Sequence, residues 1–335
     1  VRAVPHQAVV LAAGEGRRLR PFTEAVPKPL LPVGNLPQLR VTLERLREAG
    51  LARVAVNAFH HAGQLADAVA RWPLGGMDVH VEVEPFLRGT GGALAGLARW
   101  LDAAPTLLLT GDVVLEPPLA ALLARHREAG AEATMLLATR ADVARFGAVH
   151  VDARGRLRDV AGLLGRGGPR AAVNASVHVL APSFVARLPA DRPACLVRDG
   201  YVPRLRAGAP LAGLPWDGAW AETGTEEGWR AAQDALLEGA PALPPGLHAE
   251  AGWPPRACGG ARPSLLAPSA RVAAGARLEA CVVGAGAVVG DGAQLARCLL
   301  LPGARVAAGT RARNRVLGDA AATRPASAPD RGAPA

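Results

Sequence analysis

Leu11–Val33, LAAGEGRRLRPFTEAVPKPLLPV, decides the reading of this chain. It follows an apolar run, Ala8-Val9-Val10-Leu11, with the length and β-branched content of a buried strand. The small residues Ala13-Gly14-Glu15-Gly16 come next, where a loop would leave that strand and turn over a ligand. Two cations then stand in turn-rich surroundings, Arg18 before Pro21 and Lys28 between Pro27 and Pro29. Glycines let a backbone approach a phosphate chain, and the cations would add positive charge where a triphosphate sits. Ala13, Gly14 and Gly16 are therefore expected at the nucleotide. The Walker pattern is absent, because no Gly-Lys-Ser/Thr follows. Leu19 stands where a dinucleotide fingerprint needs its third glycine.

From Gln7 to Leu237, strand-like and helix-like stretches alternate. Strands are expected at 7–12, 53–57, 78–83, 106–110, 132–138 and 172–180. Helices are expected at 36–49, 62–71, 91–101, 119–128 and 226–237. This alternation predicts an α/β domain over 7–237, a Rossmann-like, mostly parallel sheet covered on both faces. Such sheets bind ligands beyond the carboxyl ends of their strands, where the Gly14 loop, the Gly89 region and Asp112 would emerge. After Gly147 the pattern loosens into hairpin-like pieces. Residues 238–263, rich in Pro and Gly, read as a linker. Over 264–318, Leu266, Val272 and Leu278 recur every six residues, and after a one-residue slip so do Val283, Val289, Leu295 and Leu301. With a small residue four places on, this is the spacing of a hexapeptide-repeat, left-handed β-helix. The tail, 319–335, has no period and is expected to be disordered.

Composition excludes several classes. The formal charge is +9, but the arginines are scattered and aromatic residues make up only 4%, so nucleic acid is not an expected partner. Lys28 is the only lysine of the chain, which otherwise uses arginine. No apolar run is long enough for a membrane span. The four cysteines, Cys195, Cys258, Cys281 and Cys298, form no C-x-x-C pair, so neither a disulfide framework nor a zinc site is expected. A cytoplasmic setting follows as the expectation, and the apolar N-terminal run has no signal-peptide layout.

The pattern Gly14-Glu15-Gly16-Arg17-Arg18-Leu19-Arg20-Pro21, followed by Pro27-Lys28-Pro29-Leu30, resembles the signature of the sugar-1-phosphate nucleotidyltransferases, most closely those of mannose-1-phosphate guanylyltransferase type. The resemblance implies that Arg18 holds the triphosphate and that Lys28 touches the α-phosphate and the incoming sugar phosphate. Glu84-Pro85 ahead of Gly89-Thr90-Gly91-Gly92 resembles the segment that reads the base, placing Glu84 and Gly89 there. Gly111-Asp112 matches a metal-binding aspartate, which would hold Mg²⁺. Glu222-Thr223-Gly224-Thr225 resembles the second metal segment, with Glu222 where an aspartate is usual. Phe146-Gly147 and Asn174-Ala175 resemble sugar-holding segments, and Asp199 lies in an acceptor-side stretch. The family's Glu-Lys-Pro is absent: Val160-Ala161-Gly162-Leu163 stands there, with Arg166 and Arg170 as possible substitutes.

An ionised carboxylate only accepts hydrogen bonds, so Glu84 suits guanine, which offers N1–H and an exocyclic amine. The expected reaction joins an NTP, with GTP favoured, to a sugar 1-phosphate and releases pyrophosphate. A uridylyl- or thymidylyltransferase, or a non-catalytic regulatory subunit of the same architecture, is the alternative. The repeat module has no histidine for acyl transfer, since none follows His248, and is expected to pair chains into a homo-oligomer.

Overall fold

β-Branched and aliphatic runs bounded by glycine turns build the central sheet, seen in a computed structural model that describes residues 6–140 and 142–319. Its strands are β1 (Gln7–Leu11), β2 (Arg53–Ala58), β3 (Asp78–Val83), β4 (Thr106–Thr110), β5 (Ala133–Ala138), β6 (Ala148–Val151), β7 (Leu157–Val160), β8 (Arg170–Leu180) and β9 (Leu211–Trp216). The order is β7-β6-β8-β4-β1-β2-β3, with β5 paired to both β8 and β9. β1 runs parallel to β2 and β4, β2 to β3, and β5 to β9. β8 pairs antiparallel with β4, β5 and β6, and β6 with β7, which is where the sequence loosened into hairpins. The Rossmann-like sheet expected from the alternation is the one observed.

Between the strands lie α1 (Gln38–Glu48), α2 (Ala62–Arg71), α3 (Gly89–Leu97), α4 (Leu119–Glu128) and, later, α5 (Glu226–Leu237). Just past the end of α1 stands Gly50, at φ 87°, a left-handed conformation that only glycine adopts without strain. α3 begins two residues earlier than its apolar spacing suggests. Gly89, at φ 69°, starts it, and a Cβ there would meet Ala194 O at 2.6 Å. α5 is capped by the Thr225 side chain, which accepts from Gly228 N at 3.1 Å, with Glu226 and Glu227 in its first turn.

The chain divides into two compact units. One comprises residues up to Gly14, Arg45–Phe59 and Leu74–Trp220; the other comprises Glu15–Glu44, His60–Pro73 and the chain from Ala221 onward. The first contains the sheet, and its core joins Val9, Ala55, Leu108, Met135, Leu137 and Phe184, all fully buried. β1 and β4 are buried on both faces, which is why they read as unbroken apolar runs rather than alternating ones.

In the second unit the hexapeptide spacing becomes three stacked parallel ladders, the arrangement of a left-handed β-helix. Leu265 pairs with Val282, Val282 with Leu299, and Leu299 with Val316, so each coil is 17 residues long. The slip in the sequence is therefore a regular feature. One of the three spacings in each coil is five residues, and Leu300, not Leu301, continues the row of Leu266 and Val283. Ala280, Arg297 and Asn314, 17 residues apart, hold the same corner at φ between 49° and 54°. The segment 238–263 holds a short helix, His248–Ala251, and a bridge from Arg256 to Ser264. The expected disordered tail lies outside the described residues from 320 onward.

A polar pair sits in the first unit's apolar core. His178 Nδ1 and Tyr201 Oη share a hydrogen bond of 2.8 Å, and both residues are buried. Burial pushes the His178 pKa down from 6.5 to about 3, so the imidazole is neutral in the fold. Between those values the unfolded chain binds the extra proton and the native one does not, so stability falls as pH drops from 6.5 towards 3. In urea titrations at a series of pH values, His178→Gln should flatten that decline relative to the unsubstituted chain. An equal slope in both proteins would contradict the assignment.

Candidate active site

The carboxyl ends of β1, β2, β3 and β4 lie in one row, because Leu11 pairs with both Asn57 and Thr110, and Ala58 pairs with Val83. Register therefore brings Ala12, Glu84 and Gly111-Asp112 to one edge of the first unit's sheet, from which the stretches that carry Ala13, Gly14 and Gly89 continue. Gly111 allows β1 and β4 to close tightly there. Its N–H donates to Leu11 O at 2.7 Å, and a Cβ would stand 3.1 Å from that oxygen. Asp112 follows, half-buried, at the turn into Val113–Leu115.

Ala12 N–H, just past the end of β1, has a buried side-chain partner. It donates to Asn57 Oδ1 at 2.7 Å, and Asn57 Nδ2 donates to Glu84 Oε1 at 2.9 Å. Arg88 N–H donates to the other carboxylate oxygen, Glu84 Oε2, at 3.1 Å. Asn57 and Glu84 are each only 4% exposed. This relay ties the start of the glycine loop to the residue before Gly89. Glu84 thus has a fixed orientation and one N–H on each oxygen, and each oxygen keeps further acceptor capacity. Asn57 was not singled out in the sequence. Its signal is a polar residue directly after the apolar run Val54-Ala55-Val56 of β2, where an amide can accept from one backbone and donate to the carboxylate that follows the next strand.

The start of α3 is held by its own chain. Gly91 N–H and Gly92 N–H both donate to Ala194 O, at 2.9 and 3.2 Å, and Leu196 N–H donates to Thr90 Oγ1 at 2.9 Å. Asp199 lies on the helical turn that follows. Its carboxylate accepts from Arg192 at 2.8 Å and from Cys195 N–H at 2.7 Å, and these bonds, the first most of all, hold its pKa below the usual carboxylate range. Gly147 and Asn174 are neighbours by register, since Ala148 pairs with Val173. Gly147 takes φ 83°, and Asn174 Oδ1 accepts from Ser176 N–H at 2.8 Å where β8 breaks register against β5. Of the possible lysine substitutes, Arg170 begins β8, while Arg166 donates to Leu205 O at 3.4 Å.

Arg18, Lys28 and Glu222 belong to the second unit. Gly16, at φ 64°, turns the loop, and a Cβ there would meet Thr23 Cγ2 at 2.7 Å. Thr23 Oγ1 donates to Gly16 O at 2.9 Å and closes the loop upon itself. Lys28 opens a single 3-10 turn, Lys28–Leu30, fixed from below by Val26 and Leu30 packed on Ala68 of α2. The chain after it is gripped by α5: Trp229 Nε1 and Gln233 Nε2 both donate to Pro32 O, at 2.7 and 2.9 Å, and Gly34 N–H donates to Gln233 Oε1 at 2.9 Å. Arg18, 65% exposed, pairs with Glu222 at 3.1 Å. Glu222, expected as a metal ligand, is in this structure the ion-pair partner of Arg18. Among the described residues no group of three or more His, Cys, Asp or Glu side chains converges on a common point. Mg²⁺ needs no such cage, because it uses one or two carboxylates together with substrate phosphates and water. The carboxylate of Asp112, in the first unit, fits that chemistry, as does that of Glu222 in the second.

Comparisons with known proteins identify the family and the fold. A family model described as nucleotidyl transferase matches residues 7–162. A mannose-1-phosphate guanylyltransferase of Mycobacterium tuberculosis is 30% identical over 292 residues, covering 86% of this chain and 77% of that one. A UTP–glucose-1-phosphate uridylyltransferase of Synechocystis is 24% identical over 340 residues, with coverage of 86% and 85%. Among solved structures, HddC from Yersinia pseudotuberculosis superposes with a TM-score of 0.58 at 19% identity, covering 68% of this chain and 97% of that chain. A putative glucose-1-phosphate thymidylyltransferase from Bacillus anthracis gives 0.59 at 19%, covering 68% and 93%, and both show the fold alone. No helix among the described residues is long and apolar enough to cross a membrane. By the motif, the fold and the extent of these matches, the chain belongs to the sugar-1-phosphate nucleotidyltransferases, enzymes of nucleotide-sugar biosynthesis.

Proposed function

We propose that the chain transfers a guanylyl group from GTP to a hexose 1-phosphate of the mannose type, giving a GDP-sugar and pyrophosphate. The observation that carries the choice of base is Glu84: a buried, oriented acceptor-only group beside Gly89. Guanine presents two adjacent donors to such a group, whereas uracil and thymine flank their one donor with carbonyls that a carboxylate repels. The guanylyltransferase relatives from Mycobacterium tuberculosis and rice support the same choice.

The nucleophile is a phosphate monoester with a second pKa of about 6, largely dianionic at neutral pH, so no general base is required. The barrier is repulsion between two anions, and the enzyme lowers it by positioning and charge. Arg18 takes the triphosphate, and Lys28 neutralises the α-phosphate and the incoming phosphate. Gly14 and Gly16 let the backbone approach the phosphates. Asp112 is the residue that would hold a divalent cation, and Glu222 offers an oxygen donor within its own unit; the cation, when bound, supplies further charge neutralisation at the phosphates. Gly147 and Asn174 are assigned to the sugar, with Asp199 on the acceptor side. A cytoplasmic setting and assembly through the β-helix are the corresponding proposals for the cell and the quaternary state.

Comparing GTP, UTP, dTTP and ATP against mannose 1-phosphate and glucose 1-phosphate, by pyrophosphate release, tests the reading. GTP with mannose 1-phosphate should be the fastest pair, and a preference for UTP or dTTP would overturn it. Glu84→Gln should lower the GTP to UTP ratio of kcat/KM by about tenfold, since an amide matches uracil. An equal loss for every nucleotide would restrict Glu84 to holding Asn57. Asn57→Ala separates the two roles: it leaves the Ala12 N–H and the Glu84 carboxylate short of a partner. That should cost about 1–3 kcal/mol in urea unfolding and slow all nucleotides alike. A change in nucleotide preference without loss of stability would contradict the relay.

A further inference from the structure

The hairpin of β6 and β7 and the end of α4 enclose a cleft of about 630 Å³ that the proposed reaction does not use. Five arginines line it, Arg125, Arg154, Arg156, Arg158 and Arg166, against two carboxylates, Asp152 and Glu128, which leaves a formal charge of +3. Among the described residues none of the five guanidiniums forms an ion pair. Two nearby carboxylates take their hydrogen bonds from backbone. Asp152 Oδ1 accepts from Arg154 N–H and Arg156 N–H at 2.8 and 2.9 Å, shaping the turn that carries those two arginines. Asp159, 1% exposed, accepts from Leu164 N–H and Arg166 N–H at 3.0 Å each, shaping the loop that carries Arg166.

Three guanidiniums are oriented by carbonyl oxygens, which fix direction without cancelling charge. Arg125 donates to Gly213 O and to Arg154 O, at 3.4 and 2.6 Å. Arg158 donates to Gly167 O at 3.2 Å, and Arg166 to Leu205 O. Asp152 offsets part of this charge, since Arg156 and Arg158 lie close enough to help lower its pKa, and a formal +3 remains on a shaped, concave surface. The cleft is also apart from the carboxyl-end row. Leu211, which lines it, pairs with Ala133, which pairs with Leu180, which pairs with Thr106 at the amino end of β4.

We propose that this arginine cleft binds a small polyanion carrying two or more phosphoryl groups, at a site separate from the one that performs the transfer. Guanidinium forks match phosphoryl oxygens two at a time, and a formal +3 answers the three to four charges of a pyrophosphate or tripolyphosphate group. Two inorganic probes, tripolyphosphate and sulfate at equal ionic strength, test this by calorimetry on the full chain without divalent cation. Lys28→Ala is included as a background that removes the loop cation. Tripolyphosphate should bind one per chain in that background. The added triple variant Arg154→Ala/Arg156→Ala/Arg158→Ala should weaken it at least about tenfold, with the melting temperature of the free protein unchanged. Undiminished binding in the triple variant, or sulfate binding as tightly as tripolyphosphate, would overturn the proposal. Tighter binding of a single-stranded oligonucleotide than of tripolyphosphate would overturn it too, in favour of nucleic acid. No arm depends on turnover, so failure here is distinct from failure of the guanylyl-transfer reading.

Discussion

A buried strand that ends at a ligand loop has an unavoidable difficulty. The first N–H past the strand must find an acceptor without water, and without closing the loop it is meant to open. Here Asn57 solves it, accepting from Ala12 and passing the constraint through Glu84 to the N–H of Arg88. Three chain segments that are distant in sequence are thereby held in one geometry, and one of them carries the carboxylate proposed to read the base. Removing the amide leaves both a donor and a charged acceptor short of partners in an apolar interior, which is why the relay matters beyond the strength of any one of its bonds.

The second unit answers the same need in a different way. Lys28 sits on a single 3-10 turn, too short to be stable by itself. Its rigidity is borrowed from Val26 and Leu30 packed on α2, and from Trp229 and Gln233 of α5, which take the Pro32 carbonyl. A charged group on backbone held by packed neighbours loses little freedom when an anion binds, which suits the role proposed for Lys28. Arg18 is placed more loosely, exposed and paired with Glu222 at the surface, where such a pair contributes little to stability. That pairing fixes the direction of the guanidinium.

Much of this was legible in the sequence, for physical reasons. Strands buried on both faces announce themselves as apolar runs, and so β1 and β4 were placed within a residue. The hexapeptide spacing named the β-helix, and the slip after Leu278 was the mark of its 17-residue coil. What the sequence hid was partnership. Nothing local indicates that Asn57 touches Glu84, 27 residues away, or that Glu222 meets Arg18 across 204 residues. Nor does an arginine-rich chain reveal which guanidiniums gather in one cleft, because Asp152 and Asp159 look like ion-pair partners until their backbone bonds are seen.

The central claim is that the glycine loop and its lysine form the phosphate half of a nucleotidyl-transfer site. Steady-state pyrophosphate release by Lys28→Ala, from GTP and mannose 1-phosphate, tests it most directly, with the melting temperature as a check on the fold. The account requires a loss of about 10²-fold or more in a protein that melts as the unsubstituted chain does. Turnover within about twofold of that chain would contradict it.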